Sequence, residues 1–192
     1  PTPLVGGLGM LLAILGLQVA IGKLPFESWS LLAALLVVTA IGVADDAREL
    51  SHRAKFVAQA VGATIIVSGT SVWVRDLGDL FGLGNIELGK WAILVTIVAM
   101  VGVMNAINMI DGLDGLAGSL CLVPLLILAW LATGDANGLA FELLLVAGVI
   151  GGFLLLNLRL PGRSRALVFM GDTGGMILGM LIAWYSIKLG GD

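Results

Sequence analysis

Apolar residues run along this chain in long, nearly unbroken blocks, and the polar residues gather in the short stretches between them. The blocks lie at roughly 4–21, 30–44, 56–74, 91–110, 116–133, 138–157 and 173–189. Each can cross about 30 Å of hydrocarbon once tilt and short helices are allowed for. The pattern predicts an all-α fold, a polytopic transmembrane helix bundle of about seven spans. The block at 30–44 is short for a span, but Trp29 and Asp45 flank it as interface residues would. No fixed-period repeat, low-complexity tract or separable soluble region interrupts the series, so residues 1–192 read as a single integral-membrane domain.

With seven spans, the loops 45–55, 111–115 and 158–172 share one side, and 22–29, 75–90 and 134–137 share the other. The first side collects Arg48, Arg53, Lys55, Arg159, Arg163 and Arg165, against Lys23, Arg75, Lys90 and Lys188 on the second. By the positive-inside rule the first side is expected to be cytoplasmic. Trp29, Trp73, Trp91, Trp130 and Trp184 fall toward the opposite ends of their spans, as an aromatic belt requires. The loop 75–90, with Gly82 and Gly84 among alternating apolar and polar residues, reads as a short hairpin on the outer face.

Composition sharpens this picture. Of the 192 residues 59% are hydrophobic and 12% charged, which excludes an ordinary soluble domain. A net charge of -3 with scattered basic residues provides no electrostatic footprint for nucleic acid. The lone Cys121 cannot form an intrachain disulfide. The chain opens on PTPLVGG, without the charged stretch that precedes the apolar core of a signal sequence. Such an opening is expected of the middle of a longer protein.

Against this background the polar motifs stand out, because ionisable groups at membrane depth are costly and are candidates for function. In NAINMIDGLDGLAGS, Asn105, Asn108, Asp111 and Asp114 recur every third residue. On one straight helix each such step drifts about 60°, so the four cannot aim at one point. Gly112 and Gly115 offer a solution: the helix can end near Asp111, and the turn can bring Asp114 back beside Asn108 and Asp111. The plainer alternative is that the glycines pack helices and the aspartates cap the next one. In GVADDAREL, Asp45 and Asp46 cannot both ionise cheaply without a cation or basic partners. A magnesium ion bridging phosphate oxygens would satisfy them, as would a solvated loop balanced by Arg48 and Arg53.

In FMGDTGG, Asp172 precedes an apolar span and lies among glycines that admit a ligand or ion to the backbone. Gly171, Gly175 and Gly179 also suit a helix-packing face of small residues, which explains the glycines but not Asp172. Arg159, Arg163 and Arg165 lie on the same side and could meet a diphosphate or anionic head groups, or serve as positive-inside flanks. His52 reads as a solvated loop residue.

Taken together, PLVGG at 3–7, GVADDAREL at 42–50, NAINMIDGLDGLAGS at 105–119 and FMGDTGG at 169–175 resemble the polyprenyl-phosphate N-acetylhexosamine-1-phosphate transferases, glycosyl transferase family 4. Order and spacing match across nearly the whole chain. The wording PLVGG and NMIDGLDG is similar to the bacterial undecaprenyl-phosphate N-acetylglucosamine-1-phosphate transferase branch rather than to the phospho-MurNAc-pentapeptide translocases. Glu49 stands where many relatives carry Asp or Asn, and Gly175 where the family usually has Ser. Relative to the family pattern the chain starts after the first transmembrane helix and stops before the later helices and a histidine-rich loop, so it is expected to be a core segment of a longer enzyme.

The resemblance implies a magnesium-dependent reaction, with Mn2+ as an alternative ion, at the cytoplasmic face of a bacterial plasma membrane. A sugar-1-phosphate, GlcNAc-1-phosphate first, would pass from a UDP-sugar to undecaprenyl phosphate, releasing UMP and initiating a cell-envelope polysaccharide such as lipopolysaccharide. By similarity Asp172 would be the metal ligand, and Asp45 and Asp46 would place or deprotonate the carrier phosphate. Asp111 and Asp114 would act with them, while Asn105, Asn108, Arg163 and Arg165 would bind substrate. Homodimerisation stays open. Two other classes share some features: a membrane prenyltransferase holding a magnesium diphosphate, whose second aspartate-rich motif FMGD matches poorly, and a cation transporter, which would gain nothing from placing all its acidic motifs at one interface.

Overall fold

The computed structural model describes residues 2–21, 29–82, 84–134, 138–163 and 165–191. Among them are seven α-helices: α1 (Gly6–Ala20), α2 (Trp29–Arg48), α3 (His52–Thr70), α4 (Ala92–Ile110), α5 (Leu116–Leu131), α6 (Leu139–Asn157) and α7 (Gly171–Gly190). They follow the seven apolar blocks closely. The fold is all-helical, a membrane helix bundle. The expected turns 22–29 and 134–137 lie largely outside the described residues, as does Lys23.

Helix α7 is the axis of the bundle. It packs against α4, α2, α1 and α5, while α2 pairs with α3 and α5 with α6. Nearly every residue from Gly171 to Tyr185 is buried. Small residues make this closeness feasible. A Cβ on Gly7 of α1 would overlap the backbone of Gly174, and one on Gly179 would strike the backbone of Met104 on α4. The glycine spacing of FMGDTGG is thus a packing face, as its four-residue period suggests. Around it, Ile14, Leu35, Ile66, Met100, Leu143 and Ile150 close the core.

Three helical stretches are long and apolar enough to cross a membrane by length and composition: Trp29–Arg48, Gly89–Ile110 and Leu139–Asn157. Gly6–Ala20 and Leu116–Leu131 are apolar but shorter. Helix α3 opens on His52, Arg53 and Lys55, and α7 carries Asp172, Lys188 and five glycines along its length. A helix wrapped by its neighbours, as α7 is, has little lipid to satisfy and can carry such residues.

The aromatic belt is less uniform than the sequence pattern predicts. Trp29, Trp91 and Trp130 are exposed, but Trp184 is buried against Tyr185 in an edge-on contact, with the Lys188 ammonium 5.0 Å from its ring centre. Trp184 is a core residue because α7 is central. Loop 75–90 pairs with itself through a single antiparallel bridge between Asp76 and Glu87, flanked by the bond from Leu77 N to Ile86 O (3.0 Å) and that from Leu88 N to Arg75 O (2.9 Å).

Candidate active site

Up-and-down helices bring the end of α2, the starts of α3 and α7 and the α4–α5 turn to one end of the bundle, where they enclose a cleft of about 710 Å³. Asp45, Asp46, Asn108, Asp111, Asp114 and Asp172 all line it. Asp45 and Asp46 are neighbours on a helix, so their side chains leave the axis about 100° apart. Each accordingly meets a different helix. Asp45 is buried and faces α3, where its Oδ1 accepts from Leu50 N at 2.6 Å and its Oδ2 lies 2.8 Å from Lys55 Nζ. Asp46 faces α7 and caps it, accepting from Asp172 N (2.8 Å), Thr173 N (3.3 Å) and Thr173 Oγ1 (2.6 Å). A carboxylate on the free amides at a helix N-terminus is a favourable arrangement. The two adjacent carboxylates therefore hold two separate sets of donors.

The chain reverses sharply after α2 through Glu49, whose φ is 46°, and Ser51 Oγ accepts from Ala54 N at 3.4 Å to start α3. This puts Lys55 one turn into α3. Its ammonium bridges to Asp172 Oδ2 at 2.7 Å as well as to Asp45. Lys55 was not among the candidate residues read from the sequence. A lysine beside an interface reads as a positive-inside charge, and only the unmet charge of Asp45 and Asp46 hints at a partner.

The α4–α5 connection follows the expected break. Helix α4 ends at Ile110, Asp111 leaves helical geometry at ψ 54°, and Gly115 enters α5 with φ 81°. Asn108, Asp111 and Asp114 thereby reach the cleft. Asn105 does not line it: its amide donates to Gln59 Oε1 on α3 and to Val101 O at 2.8 Å, tying α3 to α4. Asp114 Oδ2 accepts from Arg159 Nε at 2.6 Å and from Ala166 N at 3.3 Å. Arg163 is exposed and donates to Leu155 O at 2.9 Å; Arg165 is exposed too, and neither lines the cleft. His52 does line it.

Two further parts of the frame escaped the sequence reading. The buried Asn157 at the end of α6 accepts from Gly115 N at 2.7 Å and donates to Val168 O at 2.8 Å, joining the α4–α5 turn to the approach of α7. An asparagine closing an apolar block looks like a simple boundary. The N-terminal PLVGG segment runs beside that approach through Phe169 N to Pro3 O, Gly6 N to Phe169 O and Gly7 N to Met170 O, each 3.0 Å. Its glycines serve packing.

Electrostatically, burial pushes the Asp111 carboxyl up to about 6, with the charges of Asp172, Asp46 and Asp114 acting in the same direction. The Arg159 guanidinium holds Asp114 below the usual carboxylate range. In the cation-free protein Asp111 keeps its proton to about pH 6 when folded but releases it near 3.8 when unfolded. The folded state therefore binds the extra proton between those values, and stability is expected to fall as pH rises from about 4 through 6 and then level off. Thermal unfolding of chelator-treated protein reads this contribution through the wild-type minus Asp111→Asn difference. A difference that grows with pH in that window would contradict it.

Among the described residues no three His, Cys, Asp or Glu side chains form a ready metal cage. A magnesium ion does not require one, since it commonly takes one or two carboxylates and fills its remaining positions with water and substrate phosphates. Three groups fit that demand. Asp111 accepts no hydrogen bond among the described residues, Asp172 is partly exposed to the cleft, and Asn108 Oδ1 is buried without a partner against Gly175.

A membrane helix bundle with an acidic cleft at one end is the class of protein that the fold and site define. Residues 28–190 match the model for glycosyl transferase family 4, and the chain belongs to that family. It is similar to the undecaprenyl-phosphate alpha-N-acetylglucosaminyl 1-phosphate transferase of Haemophilus influenzae, 34% identical over 80% of this chain and 43% of that protein. It is also similar to the decaprenyl-phosphate N-acetylglucosaminephosphotransferase of Mycobacterium leprae, 33% identical over 100% of this chain and 52% of the relative. The undecaprenyl-phosphate enzyme of Salmonella typhi is 32% identical over 97% of this chain and 51% of its own length. The chain spans about half the length of the curated relatives it matches.

Proposed function

We propose that the protein transfers a sugar-1-phosphate, GlcNAc-1-phosphate first, from a UDP-sugar to a polyprenyl phosphate such as undecaprenyl phosphate. The observation that carries this reading is the convergence of Asp45, Asp46, Asp111, Asp114 and Asp172 with Lys55 in one cleft at the bundle's end. Such a cleft suits a reaction between two phosphates, one arriving from the bilayer on a lipid and the other from solution on a nucleotide. The names of the relatives support the acceptor and the sugar. The basic residues at the cleft end support a cytoplasmic site in a bacterial plasma membrane.

In this mechanism an oxygen of the carrier phosphate attacks the phosphorus attached to the sugar, the bond to the UMP oxygen breaks, and a lipid-linked sugar diphosphate forms. Asp172 and Asp111, with Asn108 Oδ1, would hold Mg2+, which when bound offsets the charge of the two phosphates. Asp45, buried and held by Leu50 N and Lys55, orients the lysine beside the carrier phosphate. Asp46 fixes the first turn of α7 and with it the direction of Asp172. Asp114, tied to Arg159, holds the α4–α5 turn against the loop that follows α6.

The test is the leaving group. Purified full-length protein with UDP-N-acetylglucosamine, undecaprenyl phosphate and Mg2+ is expected to release UMP one for one with a lipid-linked sugar diphosphate. Release of inorganic diphosphate from an added prenyl diphosphate, with no UMP from the UDP-sugar, would indicate a prenyltransferase instead. No product with this or related UDP-sugars would sink the reading.

A further inference from the structure

The ammonium of Lys55 lies 2.8 Å from Asp45 Oδ2 and 2.7 Å from Asp172 Oδ2, joining α3 to α7. Its two partners are not equivalent. Asp45 is 7% exposed and its second oxygen already accepts from Leu50 N, so it is a fixed anchor. Asp172 is 34% exposed and shares the cleft wall with Asp111 and Asn108. An ammonium can leave Asp172 by rotating its own flexible stem while keeping its bond to Asp45.

We propose that Lys55 is the counter-ion of Asp172 in metal-free protein, and that a divalent cation reaches Asp172 only by displacing this ammonium. The inference rests on the phosphotransferase reading of the cleft and adds an order of events to it. A divalent ion and an ammonium on the same carboxylate oxygen would crowd three positive charges around one negative one, at a separation where charges couple strongly. Magnesium also requires oxygen ligands in a near-octahedral arrangement, which a hydrogen-bonded ammonium obstructs. Once displaced, Lys55 remains anchored on Asp45 with donors free to face the cleft. Lys55 is thus a positioning residue that sets how strongly the cleft binds metal before substrate arrives.

The experiment uses purified full-length protein without substrate. Mn2+ binding followed by electron paramagnetic resonance is expected to tighten about tenfold in both Lys55→Met and Lys55→Gln, because each removes the competing charge. In wild-type protein, acylation of Lys55 read on its peptide by mass spectrometry is expected to run several-fold faster with saturating Mg2+ than with chelator. Lys90, on the outer loop, serves as the internal control and is expected to be indifferent. Mn2+ affinity unchanged or weakened in the two variants, or a Lys55 labelling rate that ignores Mg2+, overturns the proposal. The labelling arm uses unaltered protein, so it decides even if a variant misfolds. None of these readouts involves a UDP-sugar or a carrier lipid, so their failure leaves the transferase reading standing. Absence of UMP release would strike that reading and not the exchange of cations.

Discussion

Asp172→Asn is expected to lower UMP release by about a thousandfold or more, with the protein still folded and inserted. The two halves of this expectation come from different atoms of one residue. Asp172 holds the first turn of α7 through its backbone amide, which donates to Asp46 Oδ1, and that bond survives the substitution. Its carboxylate faces the cleft and Lys55. An asparagine of the same shape removes the charge that a metal ion would need but leaves the helix cap intact. Turnover at saturating Mg2+ and the melting temperature in detergent check both halves. Near-normal turnover would remove Asp172 from the metal site.

Gly171→Ala should lower stability and turnover together. Gly171 has φ +72°, a region L residues rarely adopt, and a Cβ there would lie 2.7 Å and 2.9 Å from the two carboxylate oxygens of Asp46. The backbone strain alone costs about 1–3 kcal/mol. Pushing Asp46 aside would also uncap α7 and turn Asp172 away, so UMP release is expected to fall along with melting temperature. Gly9→Ala is the control, because a Cβ at Gly9 meets nothing within 4 Å. It should be neutral or slightly stabilising, since alanine favours a helix over glycine. Equal melting temperatures for the two variants would refute the assignment of strain to Gly171.

The helices were legible because lipid and backbone hydrogen bonding leave a membrane segment few options, and a long apolar block says nearly everything about such a segment. The break at Asp111 was legible too, because four polar residues at a three-residue interval cannot share one face of a continuous helix. What the sequence hid was partnership. Nothing in GVADDAREL reveals that Asp45 turns to Lys55 while Asp46 caps a helix that begins 125 residues later, since the 100° between neighbouring side chains has meaning only once both neighbouring helices are placed. Asn105 fits its motif as well as Asn108 does, yet it lies one turn deeper and bonds to Gln59. Trp184 looked like an interface residue because its position along α7 suits one; the central place of α7 makes it part of the core.

The central claim is that this cleft exchanges one phosphoanhydride for another, and the reverse reaction tests it most directly. Radiolabelled UMP would be incubated with the full-length protein, UDP-N-acetylglucosamine, Mg2+ and undecaprenyl phosphate, and incorporation of label into the UDP-sugar followed. Direct attack by the carrier predicts label in UDP-N-acetylglucosamine only when carrier and metal are both present, strongly reduced by Asp45→Asn and nearly unchanged by Glu87→Gln on the exposed outer loop. No label under any condition, or a Glu87→Gln loss as deep as that of Asp45→Asn, would contradict the account.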